Sequence, residues 1–135
     1  MLVKTIKFEN LDGKQVQEQH HFNLTRVEFL TFDVQYPNGL EAHLKEISEK
    51  QDNKAILDLF TKLIDLAYGV RDGSRFVKTE ELLTHFKQTP AYDALVFELL
   101  QNATEAIEFF IGCLPKGQQA AVQTAANQAR NKLSG

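Results

Sequence analysis

The segment KTIKFENLDGKQVQEQHHF, residues 4–22, constrains the fold more than any other. It alternates like a strand, turns at Asp12-Gly13, and spends the outward face of its return leg on amide and imidazole groups. Asn10 to Lys14 suits a type I turn followed by Gly13 in the left-handed region, a three-residue loop with a G1 bulge. That register sets Phe8 opposite Val16 and Leu2 opposite Phe22, gathering apolar residues on one face. A two-residue turn would pair Phe8 with Gln17 and split them, so the bulged register is preferred. Gln15, Gln17, Gln19 and His21 then share the wet face with Thr5 and Lys7. A lone hairpin is marginal in water and must pack on the rest of the chain.

From Asn23 onward the chain is patterned as helix. Thr25 and Glu28 form a capping box before a short helix whose apolar face is assigned to Val27, Leu30 and Val34, with Phe29 and Phe32 nearby. Pro37-Asn38-Gly39 ends it, and Leu40, Leu44 and Ile47 mark a second helix. Asp52 or Asn53 caps a third, whose wide stripe of Ile56, Leu59, Phe60, Leu63, Ile64 and Ala67 makes it the central core helix. Gly69 supplies its stop. Arg71-Asp72-Gly73-Ser74 reads as a turn that returns Phe76 and Val77 to the core. Thr79 caps a helix bearing Leu82, Leu83 and Phe86, and Thr89-Pro90 opens one bearing Tyr92, Leu95, Val96, Leu99 and Leu100. Asn102 or Thr104 opens the last, through Ile107, Phe110 and Ile111 to Gly112 and Pro115.

The expected architecture is mainly α, of the α+β class. One globular domain spans residues 1–115, with a β-hairpin at 1–22 packed on a five- to six-helix bundle at 23–115. Residues 116–135 form an Ala- and Gln-rich tail, flexible or helical: propensity allows a helix, but too little apolar surface is present to dock it firmly, so a frayed tail is expected. Its only sizeable apolar groups are Val122 and Leu133, which suits ordering by a partner.

Composition narrows the function. A chain of 135 residues holds a single core. A net charge of −3 argues against nucleic acid as the main partner, because phosphate binding needs a basic surplus. No apolar run approaches a membrane span, and the lone Cys113 cannot form an internal disulfide, so a soluble intracellular protein is expected. Charge is uneven: residues 90–114 carry Asp93, Glu98, Glu105 and Glu108 but no base, whereas residues 115–135 carry Lys116, Arg130 and Lys132 but no acid.

The residues assemble no active site. His20 and His21 are adjacent in a strand and point to opposite faces, so they cannot share a metal. His43 and His85 fall on separate helices, and no HExxH or CxxC spacing occurs. Cys113 lies in the apolar run FFIGCLP, as a small buried hydrophobe with a raised pKa. Glu80-Glu81 suit the first turn of a helix, where the macrodipole favours acids. Arg71 and Arg75 bracket a turn that is either an anion seat or plain solvated surface. No catalytic residue, cofactor site or metal site is therefore expected. What remains is a binding surface: a hairpin edge able to accept a strand, an apolar final helix and the tail.

The succession TIKFENLDGK, FNLTRVEFL, YPNGLE, LAYGVRDGSRFVKTEEL, TPAYDALVFELL and EFFIGCLP runs in order through residues 1–115. It resembles the small tail assembly chaperones of long-tailed, siphovirus-type bacteriophages and prophages, in the form found with Gram-positive hosts. The stretch from Tyr68 to Leu82 carries the most specific part of the likeness. The resemblance implies a non-enzymatic protein of the bacterial host cytoplasm, absent from the mature virion. Such a protein binds and solubilises the tape measure protein and helps recruit major tail tube subunits, the latter mainly through a longer frameshifted form. The exposed hairpin edge adds self-association to the expectations. The alternative is a small structural tail-completion or connector protein retained in the virion, and a third reading is a host regulatory or antitoxin-like adaptor.

Overall fold

The computed structural model describes residues 1–119; the expected tail lies, from residue 120 on, outside the described residues. Strands β1 (Leu2–Glu9) and β2 (Gln15–Phe22) pair antiparallel in the bulged register, with Phe8 opposite Val16 and Leu2 opposite Phe22. Asn10 closes the loop: its carbonyl accepts from the Gly13 N–H at 3.0 Å, and its side-chain oxygen accepts from the N–H groups of Asp12 and Lys14. Gly13 takes φ +77°, the left-handed conformation that a residue without Cβ adopts at least cost.

The chain continues through α1 (Arg26–Asp33), α2 (Gly39–Glu49), α3 (Asn53–Ala67), β3 (Tyr68–Asp72), β4 (Arg75–Val77), α4 (Glu80–Lys87), α5 (Pro90–Gln101) and α6 (Ala103–Cys113). Residues 116–119 begin a further helical turn. Thr25 and Glu28 make the reciprocal capping box on α1, while Thr79 and Thr89 cap α4 and α5 with their hydroxyls. The two open choices resolve to Asp52 on α3 and Asn102 on α6, each accepting a first-turn N–H.

Two features depart from the sequence pattern. First, the expected turn at residues 71–74 narrows to Gly73 and Ser74, the tip of a second hairpin in which Arg71 and Asp72 already belong to β3. β3 joins β2 through Phe22 with Tyr68 and His21 with Gly69, giving one antiparallel sheet in the order β1-β2-β3-β4. α3 runs directly into β3, because Tyr68 already has extended backbone angles (φ −65°, ψ 137°). Gly69 is thus a strand residue and not the expected left-handed helix stop, and a Cβ there would sit 2.6 Å from the Phe76 ring. The missing side chain is what seats that ring on the sheet.

Second, α1 is rotated from its expected orientation. Phe29 and Phe32 are buried, whereas Val27, Leu30 and Val34, the expected core face, are exposed. The physical reason is which face the neighbours accept: Phe29 and Phe32 join the common core, and Phe32 meets Tyr36 edge-on at 5.7 Å.

The core lies between the sheet and the helices. Phe22, Phe60, Phe86, Phe110, Leu63 and Leu95 are almost wholly enclosed. Tyr68 stacks on Phe86 at 4.2 Å between ring centres, and Phe22 meets Phe109 edge-on at 5.0 Å. Asn23 and Leu24 lace the ends of two helices together, donating to the carbonyls of Ala67 and Cys113 at 2.9 Å each.

Candidate protein-binding surface

The residues that first suggest chemistry are each absorbed locally. His20 lies on the inner side of β2, 4.8 Å from the Phe86 ring, and its Nε2 pairs with Glu18 at 2.9 Å. His21 projects from the other face between Val3 and Gly69, as strand alternation requires. His43 stacks on Tyr36 at 4.2 Å, and His85 lies exposed in the last turn of α4. Arg71 donates to the Gly73 carbonyl, and Arg75 pairs with Asp72, so this turn serves its own backbone and side chains. Glu80 and Glu81 occupy the first turn of α4. Cys113 is fully buried, and burial pushes its thiol pKa far up, which holds it as an inert thiol. Among the described residues no group of three or more His, Cys, Asp or Glu could hold a metal. None of the described helices is long and apolar enough to cross a membrane.

Two charged clusters are structural. Lys4 reaches over the inner face of β1 to Glu105 at 3.0 Å and Glu98 at 3.5 Å. Burial alone would lower the Lys4 pKa, but the two carboxylates outweigh it and hold the value above normal. Lys78, just past β4, donates to the Asn23 carbonyl (2.6 Å), Glu28 (2.7 Å) and the Leu66 carbonyl (2.8 Å). Nothing in the local sequence signals Lys78, because its partners lie 12 to 55 residues away.

The exposed apolar residues remain. β1 leaves one edge of the sheet unpaired. On α5, Ala91, Leu95 and Leu99 face the core, while Phe97 on the other side is 59% exposed and Leu100 36%. The helix thus carries large apolar groups on its open side as well as on its core side, with Asp93, Glu98 and Gln101 between them. Asp93 lies one turn before Phe97 on the open side. On α1 the stripe of Val27, Leu30 and Val34 is a second uncovered apolar face. The surface is built to meet other protein, and the family assignment agrees: a model of the phage tail assembly chaperone family matches residues 1–134.

The chain belongs to the phage tail assembly chaperones.

Neither the curated proteins nor the solved structures contain a match. The chaperone's open side of α5 is the feature that a one-stripe reading of the sequence misses. Such a reading places Leu100 with the core residues of its helix and gives Phe97 no role. Assigning each apolar residue of α5 to a helical face separates Phe97 and Leu100 from the core-facing Ala91, Leu95 and Leu99.

Proposed function

We propose that this chaperone binds the tape measure protein through the open side of α5 and keeps it soluble until tail tube subunits enclose it. The observation that carries this reading is the pair Phe97 and Leu100, exposed on the side of α5 away from the core. A tape measure protein presents long apolar helical stripes before the tube forms around it. Docking such a stripe on α5 removes apolar surface from water on both partners, worth about 1.5–3 kcal/mol for each large side chain fully buried. One acid borders the site: Asp93 lies one turn before Phe97, whereas Glu98 and Glu105 are taken up by Lys4. A client helix with basic flanks is therefore favoured over an acidic one.

A single contact of this size is weak, and a client that must later be released is served by weak contacts. Many copies along one rod supply the holding strength by avidity. The role has no chemical step, and it draws on none of the histidines nor on Cys113. The chaperone acts in the cytoplasm of its bacterial host, in assembly of a siphovirus-type tail in a Gram-positive background. It recruits tube subunits, mainly in a longer frameshifted form, and departs before the virion is complete.

Affinity capture with a tagged copy during tail assembly tests the reading. The tape measure protein should be recovered with wild-type chaperone and lost with F97E/L100E, and purified virions should contain no chaperone. Stoichiometric chaperone in finished virions would instead identify a structural tail-completion or connector subunit.

A further inference from the structure

The uncovered face of α1 adjoins a groove of about 300 Å³ lined by Leu30, Asp33, Leu40, Glu41, Phe110 and Gln118, among others. Leu30 is common to both: it walls the groove and lies in the exposed stripe with Val27 and Val34. The chain itself is led to this place. The Leu24 N–H donates to the Cys113 carbonyl, which sets the end of α6 beside the residues that open α1. Beyond Pro115 the backbone turns helically, with Gln118 N–H donating to the Pro115 carbonyl at 2.9 Å and Gln119 Nε2 to the Leu114 carbonyl at 2.8 Å. The described chain therefore ends at Gln119, one residue past the groove's own lining.

The sequence of residues 120–135 suits this groove. Val122, Ala126, Ala129 and Leu133 recur at steps of four, three and four, the spacing of one helical face. Neither proline nor glycine interrupts residues 120–134. At a rise of 1.5 Å per residue, Val122 to Leu133 spans about 16 Å, against about 10 Å for Val27 to Val34. Residues 120–135 carry Arg130 and Lys132 and no acid, while the groove presents Asp33 and Glu41. Shape, length and charge thus agree on one occupant.

We propose that residues 120–135 fold back and lay the Val122–Leu133 face on Val27, Leu30 and Val34, giving α1 a cover from within the same chain. This contact concerns a face on the α1 side of the molecule and does not depend on client binding through α5. The two readings can therefore fail separately.

Disulfide trapping in the full chain tests the contact. Leu30 is exposed, and the native Cys113 is buried and does not compete. In L30C/A126C, close approach of the two Cα atoms allows an intramolecular disulfide. The control is L11C/A126C, because Leu11 sits at the hairpin tip, a strand's length of about 26 Å from Phe22. Oxidation of L30C/A126C should be at least tenfold faster than the control and independent of protein concentration. Adding V122E and L133E should return it to the control rate. A rate no faster than the control, or one indifferent to V122E/L133E, overturns the proposal. Cross-links between chains that grow with concentration also overturn it, by assigning the α1 face to a second copy.

Discussion

Replacing Lys78 with Met should destabilise the fold out of proportion to its half-buried position. The Lys78 ammonium meets two backbone carbonyls and one carboxylate within 2.8 Å. One of those carbonyls, Leu66, belongs to the last turn of α3, where helix geometry leaves acceptors without internal donors. α3 has no basic residue in its own last turn, so Lys78 supplies from a distance the positive charge that the negative helix end favours. A hydrogen bond to a charged group contributes about 1.5–3 kcal/mol. The three are not additive, since they share one ammonium and water can reach part of the site, so K78M should cost about 2–4 kcal/mol. In a domain of this size that lowers the melting temperature by roughly 6–15 °C. Chemical denaturation of wild type, K78M, E28Q and the double variant measures both the cost and its coupling to Glu28.

The same site sets a pH dependence. Burial raises the Glu28 pKa, but the Lys78 hydrogen bond and charge, with the Thr25 N–H, outweigh it and leave the carboxyl below its normal range. A folded pKa below the unfolded one stabilises at pH above the unfolded value of about 4.3, and that stability is lost as pH falls through the folded pKa. The gap between wild type and K78M should therefore narrow in acid below pH of about 4. A loss under about 0.5 kcal/mol at neutral pH, or a gap that widens in acid, would refute the assignment of Lys78 as a structural tie.

Other consequences are simpler to check. Cys113 should be silent to thiol reagents in the native protein and react only at the rate of unfolding, since its sulfur is fully buried. Fast labelling would mean that the packing of α6 against Leu24 is wrong. Gly69→Ala should cost about 1–3 kcal/mol by overpacking, because the new methyl would lie 2.6 Å from the Phe76 ring and displace it. Pairing it with Phe76→Ala, which removes the clash, should recover part of that loss in a double-variant cycle.

Much of this fold could be read from local chemistry. Asn10, Gly13 and the partition of apolar residues determine one hairpin register, and that register is present. The stripes of α2 and α3 and the caps at Thr25, Thr79 and Thr89 act within one or two turns of sequence, which makes them legible. The features that escape a sequence reading depend on distance. β3 and β4 are five and three residues long, too short for alternation to register, and β3 meets β2 at only two residue pairs. α1 offers apolar groups on nearly every side, so its orientation is decided by which neighbours accept Phe29 and Phe32. Lys78 is invisible for the same reason: its partners come together only in the folded chain. The opposed directions of His20 and His21 are legible because strand alternation alone separates them. The open side of α5 becomes clear only once its core-facing residues are known.

The central claim is tested most directly by the solubility of the tape measure protein when it is co-expressed with this chain. Wild-type chaperone should shift the tape measure protein from the insoluble to the soluble fraction, and F97E/L100E, folded and equally abundant, should fail to do so. An equal soluble yield with and without the chaperone would contradict the proposed role. Full activity of F97E/L100E would contradict the assignment of the client to α5.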